Sequence, residues 1–284
     1  GTGDDEPDRA AFAAQMDLVR SLFNVLDLAD AIERLRNGTL PPRAAAITFD
    51  DGYANNAQIA APIMAARGLP ATFFIGTGFL DGGRMFNDTV IEAARRAHAA
   101  LDLTDLELGS YRLNDDAARR QAISALHGKP KYQTPERRLA LADTIAERVG
   151  GGLPTDLMMT REQLRALAAV PGMKIGAHTI NHPILTRVGR ETAQAEIVGS
   201  KQELEHITGR PVETFAYPNG RPKSDYDPSH VDIVSAAGFR AAVSTAWGSA
   251  HRGSDRFQIP RVAPWDRVAM KYAVRLLAAY RQAA

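Results

Sequence analysis

The chain has 284 residues, of which 45% are hydrophobic and 24% charged, which is the composition of a globular protein and excludes a disordered or coiled-coil chain. Its 34 Lys and Arg nearly balance 33 Asp and Glu, for a net charge of +1, so no global field steers it to nucleic acid or an anionic membrane. There is no cysteine, which excludes disulfide scaffolds, thiol catalysis and Cys-based zinc sites, and leaves any metal centre to carboxylates and the seven His.

The N-terminus, Gly1-Thr2-Gly3-Asp4-Asp5-Glu6, is polar and acidic, unlike a signal peptide. It lacks an initiator Met and reads as processed or trimmed. No apolar run approaches the ~20 residues of a membrane-spanning helix. Residues 9–36 read as two helices, with Phe12, Met16, Val19 and Phe23 at helical spacing. Asn37-Gly38 stops the second. Residues 44–49 form a compact apolar run ending in Asp50-Asp51-Gly52, a buried strand with a polar tip. A helix over 55–67, closed by Gly68, leads to a second buried strand over 71–75. This strand–helix–strand order implies a parallel sheet.

Residues 84–152 show no strand and read as helices over 88–100, 115–126 and 135–149. They form a helical insertion, about 84–156, in a single domain covering 1–284. Thr160 opens the next helix, with Gln163 completing a capping box. Strands then follow over 173–177, 214–217, 239–244 and 257–262, with helices over 190–208, 228–237 and 267–280. Six strands in this rhythm predict an α/β fold: a distorted, incomplete β/α barrel, or alternatively an open doubly wound sheet. No Gly-rich phosphate loop follows any strand.

In parallel β/α folds functional residues gather at the C-terminal ends of strands. One strand here ends in Thr48-Phe49-Asp50-Asp51-Gly52-Tyr53, where two adjacent carboxylates are costly unless something offsets their charge. Another ends in His178-Thr179-Ile180-Asn181-His182. Two imidazoles four positions apart can share one metal ion. The helical zinc-protease motif needs Glu after its first His, and Thr179 stands there. Pro183 disfavours a helical His182, so the pair sits on a strand-end loop. Two His and one Asp leave a metal with an open position, and the second Asp is free to act as a base. Alternation along an extended strand points the two carboxylates in different directions.

These two segments resemble the first two motifs of the polysaccharide deacetylases, the fourth family of carbohydrate esterases, with the biofilm poly-N-acetylglucosamine deacetylases as the nearest type. The resemblance runs from about residue 44 to 262. It implies a distorted seven-stranded β/α barrel, a divalent metal with zinc first, and an acetylated polysaccharide or oligosaccharide substrate. By position it makes Asp50 the general base and Asp51, His178 and His182 the metal ligands. It gives the Tyr53 backbone N–H to the oxyanion. The third motif corresponds to Ala216-Tyr217-Pro218-Asn219-Gly220, which keeps Pro and Gly and puts Tyr217, Pro218, Asn219 and Gly220 against substrate. The family's Arg is replaced by Ala216, and Arg261, at the end of the last strand, is the candidate to hold Asp50 instead. The family's acid His has no motif here, and His251 is the candidate.

Three alternatives stand beside this reading. One is an O-acetyl esterase or cyclic-amide hydrolase on the same fold, and another is a silent carbohydrate-binding member. His230-Val231-Asp232 resembles half of an iron triad, but Asp232 is better read as first-turn charge on a helix. Trp247 and Trp265 are further candidates to stack on sugar rings.

Overall fold

The computed structural model describes residues 7–128, 133–264, 266 and 268–281. Helix α1 (Arg9–Leu22) and strand β1 (Asn24–Val25) precede helix α2 (Leu28–Asn37). Gly38 ends α2 in the left-handed conformation at φ 70°, as a C-terminal Gly does. The expected strand over 44–49 is split. Its first part, β2 (Ala44–Ala45), pairs in parallel with β1, and its second, β3 (Thr48–Phe49), pairs with β4 (Ala71–Ile75). The helix between them contains a π-helical turn (Asn56–Ala60) before α3 (Ala61–Ala65).

The insertion contains α4 (Phe86–Arg96), α5 (Asp116–Gly128) and α6 (Pro135–Arg148). The sequence reading of no strand there is corrected. Strands β5 (Ala100–Leu103) and β6 (Gly109–Arg112) form an antiparallel hairpin. Leu101 and Leu103 alternate into a small core with Val90, Leu108, Leu126 and Ile145. Four residues are too few for period-two alternation to stand out beside the flanking helices.

Helix α7 (Arg161–Ala169) opens with the expected Thr160–Gln163 capping box. Strand β7 (Met173–Ala177), α8 (Arg190–Thr208), β8 (Thr214–Ala216), α9 (Pro228–Ala236), β9 (Ala241–Trp247), β10 (Ile259–Arg261) and α10 (Ala269–Arg281) complete the chain. The main sheet has the order β10-β9-β8-β7-β4-β3, all parallel. It curls into a half-barrel, the incomplete barrel that six βα steps predict.

Both faces of this sheet are buried, which is why its strands read as continuous apolar runs. Phe73, Ile75, Phe215 and Ala242 pack outward with Leu164, Ile197, Leu204 and Val234 of the surrounding helices. Phe74, Ala216, Ala241, Val243 and Ile259 face the other way and pack on Leu28 and Ile32 of α2. Each Phe, Ile, Leu or Val side chain among them contributes about 1.5–3 kcal/mol on burial. Gly176 is required on β7, because a Cβ there would lie 2.4 Å from the Phe74 ring. Helix α10 and the residue Asp266 before it are tied to the N-terminal part of the chain: the Arg43 N–H donates to Tyr280 Oη, and Gln15 donates to the Asp266 carbonyl. Among the described residues no helix is long and apolar enough to cross a membrane.

Candidate metal centre

Strand β3 delivers Asp50 and Asp51 into a tight turn. Asp51 has φ 75° and Gly52 φ 94°. Asp tolerates this left-handed region, and a side chain at Gly52 would press on Ile75 at 3.1 Å. Strand β7 delivers His178, and the loop beyond it returns His182. Thr179 at φ 65° and His182 at φ 51° are unusual for non-glycine residues. Such backbone is kept only where its surroundings impose it. Thr179 Oγ1 accepts the His182 N–H at 3.1 Å, and the Thr77 and Gly78 N–H groups bond the Thr179 and Ile180 carbonyls.

Asp51 Oδ1 lies 3.4 Å from Nε2 of both His178 and His182. One ligand atom from each of the three residues falls within 4.8 Å of the others. Two ligand atoms on one tetrahedral ion, about 2.0–2.1 Å from it, sit roughly 3.4 Å apart. The donor set therefore fits a divalent metal. Nδ1 of His178 contacts the Ala216 carbonyl at 2.7 Å, which fixes the ring with Nε2 turned inward. Burial, opposed by the Asp51 charge, lowers His182 to a pKa of about 4, so its ring is neutral and able to ligate at pH 7. Burial alone would lower His178 too, but the hydrogen bond with Asp51 and the two carboxylates raise it. Burial would raise Asp51, yet the His178 hydrogen bond and both imidazoles hold it below the usual range.

Asp50 does not join this trio. Its two oxygens accept from Nη1 and Nη2 of Arg261, both at 2.7 Å, a bidentate pair. Arg261 also donates to Thr48 Oγ1 at 3.1 Å and to the Ser244 carbonyl at 3.0 Å. Strands β10 and β3 are the two edges of the sheet, so this ion pair spans the open side of the half-barrel. Burial pushes Asp50 up, but the Arg261 charge and hydrogen bonds outweigh it and bring the pKa from 3.8 to about 2. A carboxylate depressed on folding stabilises the protein above its unfolded pKa, and the effect is lost as pH falls through the folded value. The drop corresponds to about 2 kcal/mol. In urea unfolding of the metal-free protein, the stability gap between wild type and Asp50→Asn should therefore narrow as pH falls from about 4 towards 2. A constant gap would contradict the pairing.

The sequence model of the polysaccharide deacetylases matches residues 37–104 and 140–242, more than half of the chain. The chain belongs to the polysaccharide deacetylase family. Solved structures of similar fold include IcaB from Ammonifex degensii, at 19% identity and a TM-score of 0.60, with 93% of this chain and 89% of that one covered. A second is the Streptococcus pyogenes deacetylase PplD in complex with acetate, at 19% identity and a TM-score of 0.58, covering 89% and 80%. A third is a de-N-acetylase from Aggregatibacter actinomycetemcomitans, at 16% identity and a TM-score of 0.53, covering 88% and 81%. No curated protein sequence matches the chain.

In this member of the family the first two motifs thus converge, and Arg261 joins them. Ala216 cannot supply the family's Arg: its side chain packs against α2, and its carbonyl is taken by His178. The third motif lies deeper than the sequence suggests. Tyr217 is wholly buried, stacked on Tyr226 with ring centroids 3.8 Å apart, so its ring packs the core and offers no face to a sugar. Pro218 and Gly220 are buried and Asn219 is half-buried in the turn after β8. His251 is exposed in a local turn, where Nδ1 accepts the Gly253 N–H at 3.1 Å, and it makes no described contact with the cluster. His230 is spent on the first turn of α9 and the Leu185 carbonyl, which disposes of the iron-triad reading. Trp247 is half exposed, and Trp265 lies outside the described residues.

Two contacts escaped the sequence. Tyr53 Oη donates to Asp88 Oδ1 at 2.9 Å, joining the first motif to the insertion. Glu196 of α8 accepts from the loop between His178 and His182. Its signal was a charged residue within a buried helical stripe of Ala193, Ile197, Ser200 and Leu204.

Proposed function

We propose that the chain is a divalent-metal-dependent hydrolase that removes N-acetyl groups from an N-acetylhexosamine polysaccharide or oligosaccharide. The observation that carries this reading is the Asp51–His178–His182 trio beside a separate carboxylate, Asp50, gripped by Arg261. A metal, zinc first, held by the trio would polarise the acyl carbonyl and acidify water. Asp50 is the general base and takes the proton from the water as its oxygen attacks the carbonyl carbon. Arg261 keeps Asp50 ionised and oriented. The Tyr53 backbone N–H stabilises the oxyanion, and its ring is anchored through Asp88. Cleavage of the C–N bond leaves acetate and, once its nitrogen is protonated, a free amine on the sugar. Acetate bound to PplD and the de-N-acetylase activity named for another structural neighbour support the same chemistry.

The substrate class is tested by acetate release from N-acetylglucosamine oligomers and from O-acetylated xylan. The expected result is acetate from the oligomers, with one new amine per acetate. Acetate from xylan alone would assign the site to an esterase.

A further inference from the structure

We infer that Glu196 is a positioning residue for the metal centre: its carboxylate sets the loop that presents His178 and His182. Glu196 sits in the buried stripe of α8 and is 8% exposed. A buried carboxylate is costly unless its lone pairs are satisfied. One of its oxygens accepts the successive backbone N–H groups of Ile180 and Asn181, each at 2.8 Å. The other accepts Nδ2 of Asn181, also at 2.8 Å. These donors lie between the two His, in a loop whose flanking residues Thr179 and His182 both have positive φ. Backbone of that kind relaxes unless neighbours impose it. Arg138 of α6 adds a second hold, donating Nη2 to the His182 carbonyl at 3.1 Å; burial lowers its pKa, and the Glu196 charge opposes that shift. Glu196 itself is not among the three metal-fitting donors, so it acts on the centre through the loop, as groups behind metal ligands do.

This inference rests on the metal reading above, and the test separates the two. Metal-free wild type, Glu196→Gln, Asn181→Ala and Ile197→Val are titrated with Zn²⁺ against a chromophoric chelator, and their Co²⁺ forms are compared by visible absorption. Gln keeps the size of Glu but turns an NH₂ towards donors that need an acceptor. Glu196→Gln should weaken Zn²⁺ binding about 10- to 100-fold and alter the Co²⁺ bands. Asn181→Ala, an exposed change that removes one of the three bonds, should weaken it about threefold. Ile197→Val, in the same stripe, lowers stability while leaving all three Glu196 hydrogen bonds in place, and should leave both readouts at the wild-type value. Should Glu196→Gln fail to fold, Asn181→Ala decides alone. If wild type binds metal and both loop variants match it, Glu196 has no positioning role. Weakening of Ile197→Val equal to that of Glu196→Gln would reduce its effect to stability and overturn the inference. If wild type takes up no metal, the metal reading falls and this inference falls with it.

Discussion

Asp50→Asn should abolish acetate release while the protein still binds its metal. The amide keeps the shape of the carboxylate but cannot take a proton from water, and general-base catalysis is worth about 10²–10⁴-fold. The Asp51, His178 and His182 donors are not touched by the change. Metal content should therefore stay at the wild-type level, and the defect should appear in kcat more than in KM. Acetate assays together with elemental analysis check both halves. Activity within about tenfold of wild type would remove Asp50 from the role of base. Loss of the metal would mean that Asp50 helps to hold it.

Arg261→Met should be nearly as damaging, for two separable reasons. It leaves the Asp50 carboxylate half-buried without its cation, at a cost of at least about 2 kcal/mol, below the roughly 3–5 kcal/mol of a fully buried pair because the site is partly open to water. Because Arg261 stands on one edge strand and bonds Asp50 and Thr48 at the other, the loss also releases the two sides of the half-barrel. Catalysis should fall by at least about 100-fold, the scale of a misplaced catalytic group. Arg261→Lys should recover part of the stability but little of the activity, since an ammonium lacks the fork that meets both oxygens at 2.7 Å. Equal recovery of both would argue for simple charge neutralisation. Unfolding curves and acetate rates on the same preparations separate the two effects.

Much of this arrangement can be read from residue order. The strands over 44–49 and 71–75 follow from apolar runs, as strands buried on both faces require, and the other four from the βα rhythm that resumes after the insertion. Helix ends at Gly38, Thr160 and Gly209 follow from capping chemistry. The Asp pair and the His pair stand out because charged and ligating groups at the tips of buried strands need a reason to be there. What stayed hidden depends on distance in the chain. Arg261 is a candidate partner for Asp50, 211 positions away, only because the third motif lacks its Arg and Arg261 ends the last strand; the bidentate geometry leaves no trace in residue order. The curl of the sheet brings its two edges together, and that is a tertiary fact. The two-residue β1 and the β5–β6 hairpin are too short to leave a periodic trace. Tyr217 looked like a sugar platform because an aromatic at a strand end can face either way, and the neighbouring Tyr226 decides that it faces the core.

If a single divalent ion at Asp51, His178 and His182 carries the chemistry, activity must follow the metal one for one. The most direct test is acetate release from N-acetylglucosamine oligomers by chelator-stripped protein titrated with Zn²⁺. The stripped protein should release none, and activity should rise linearly and saturate at one equivalent. The His182→Ala variant should show neither. Undiminished release after stripping, or restoration that is the same without His182, would contradict it.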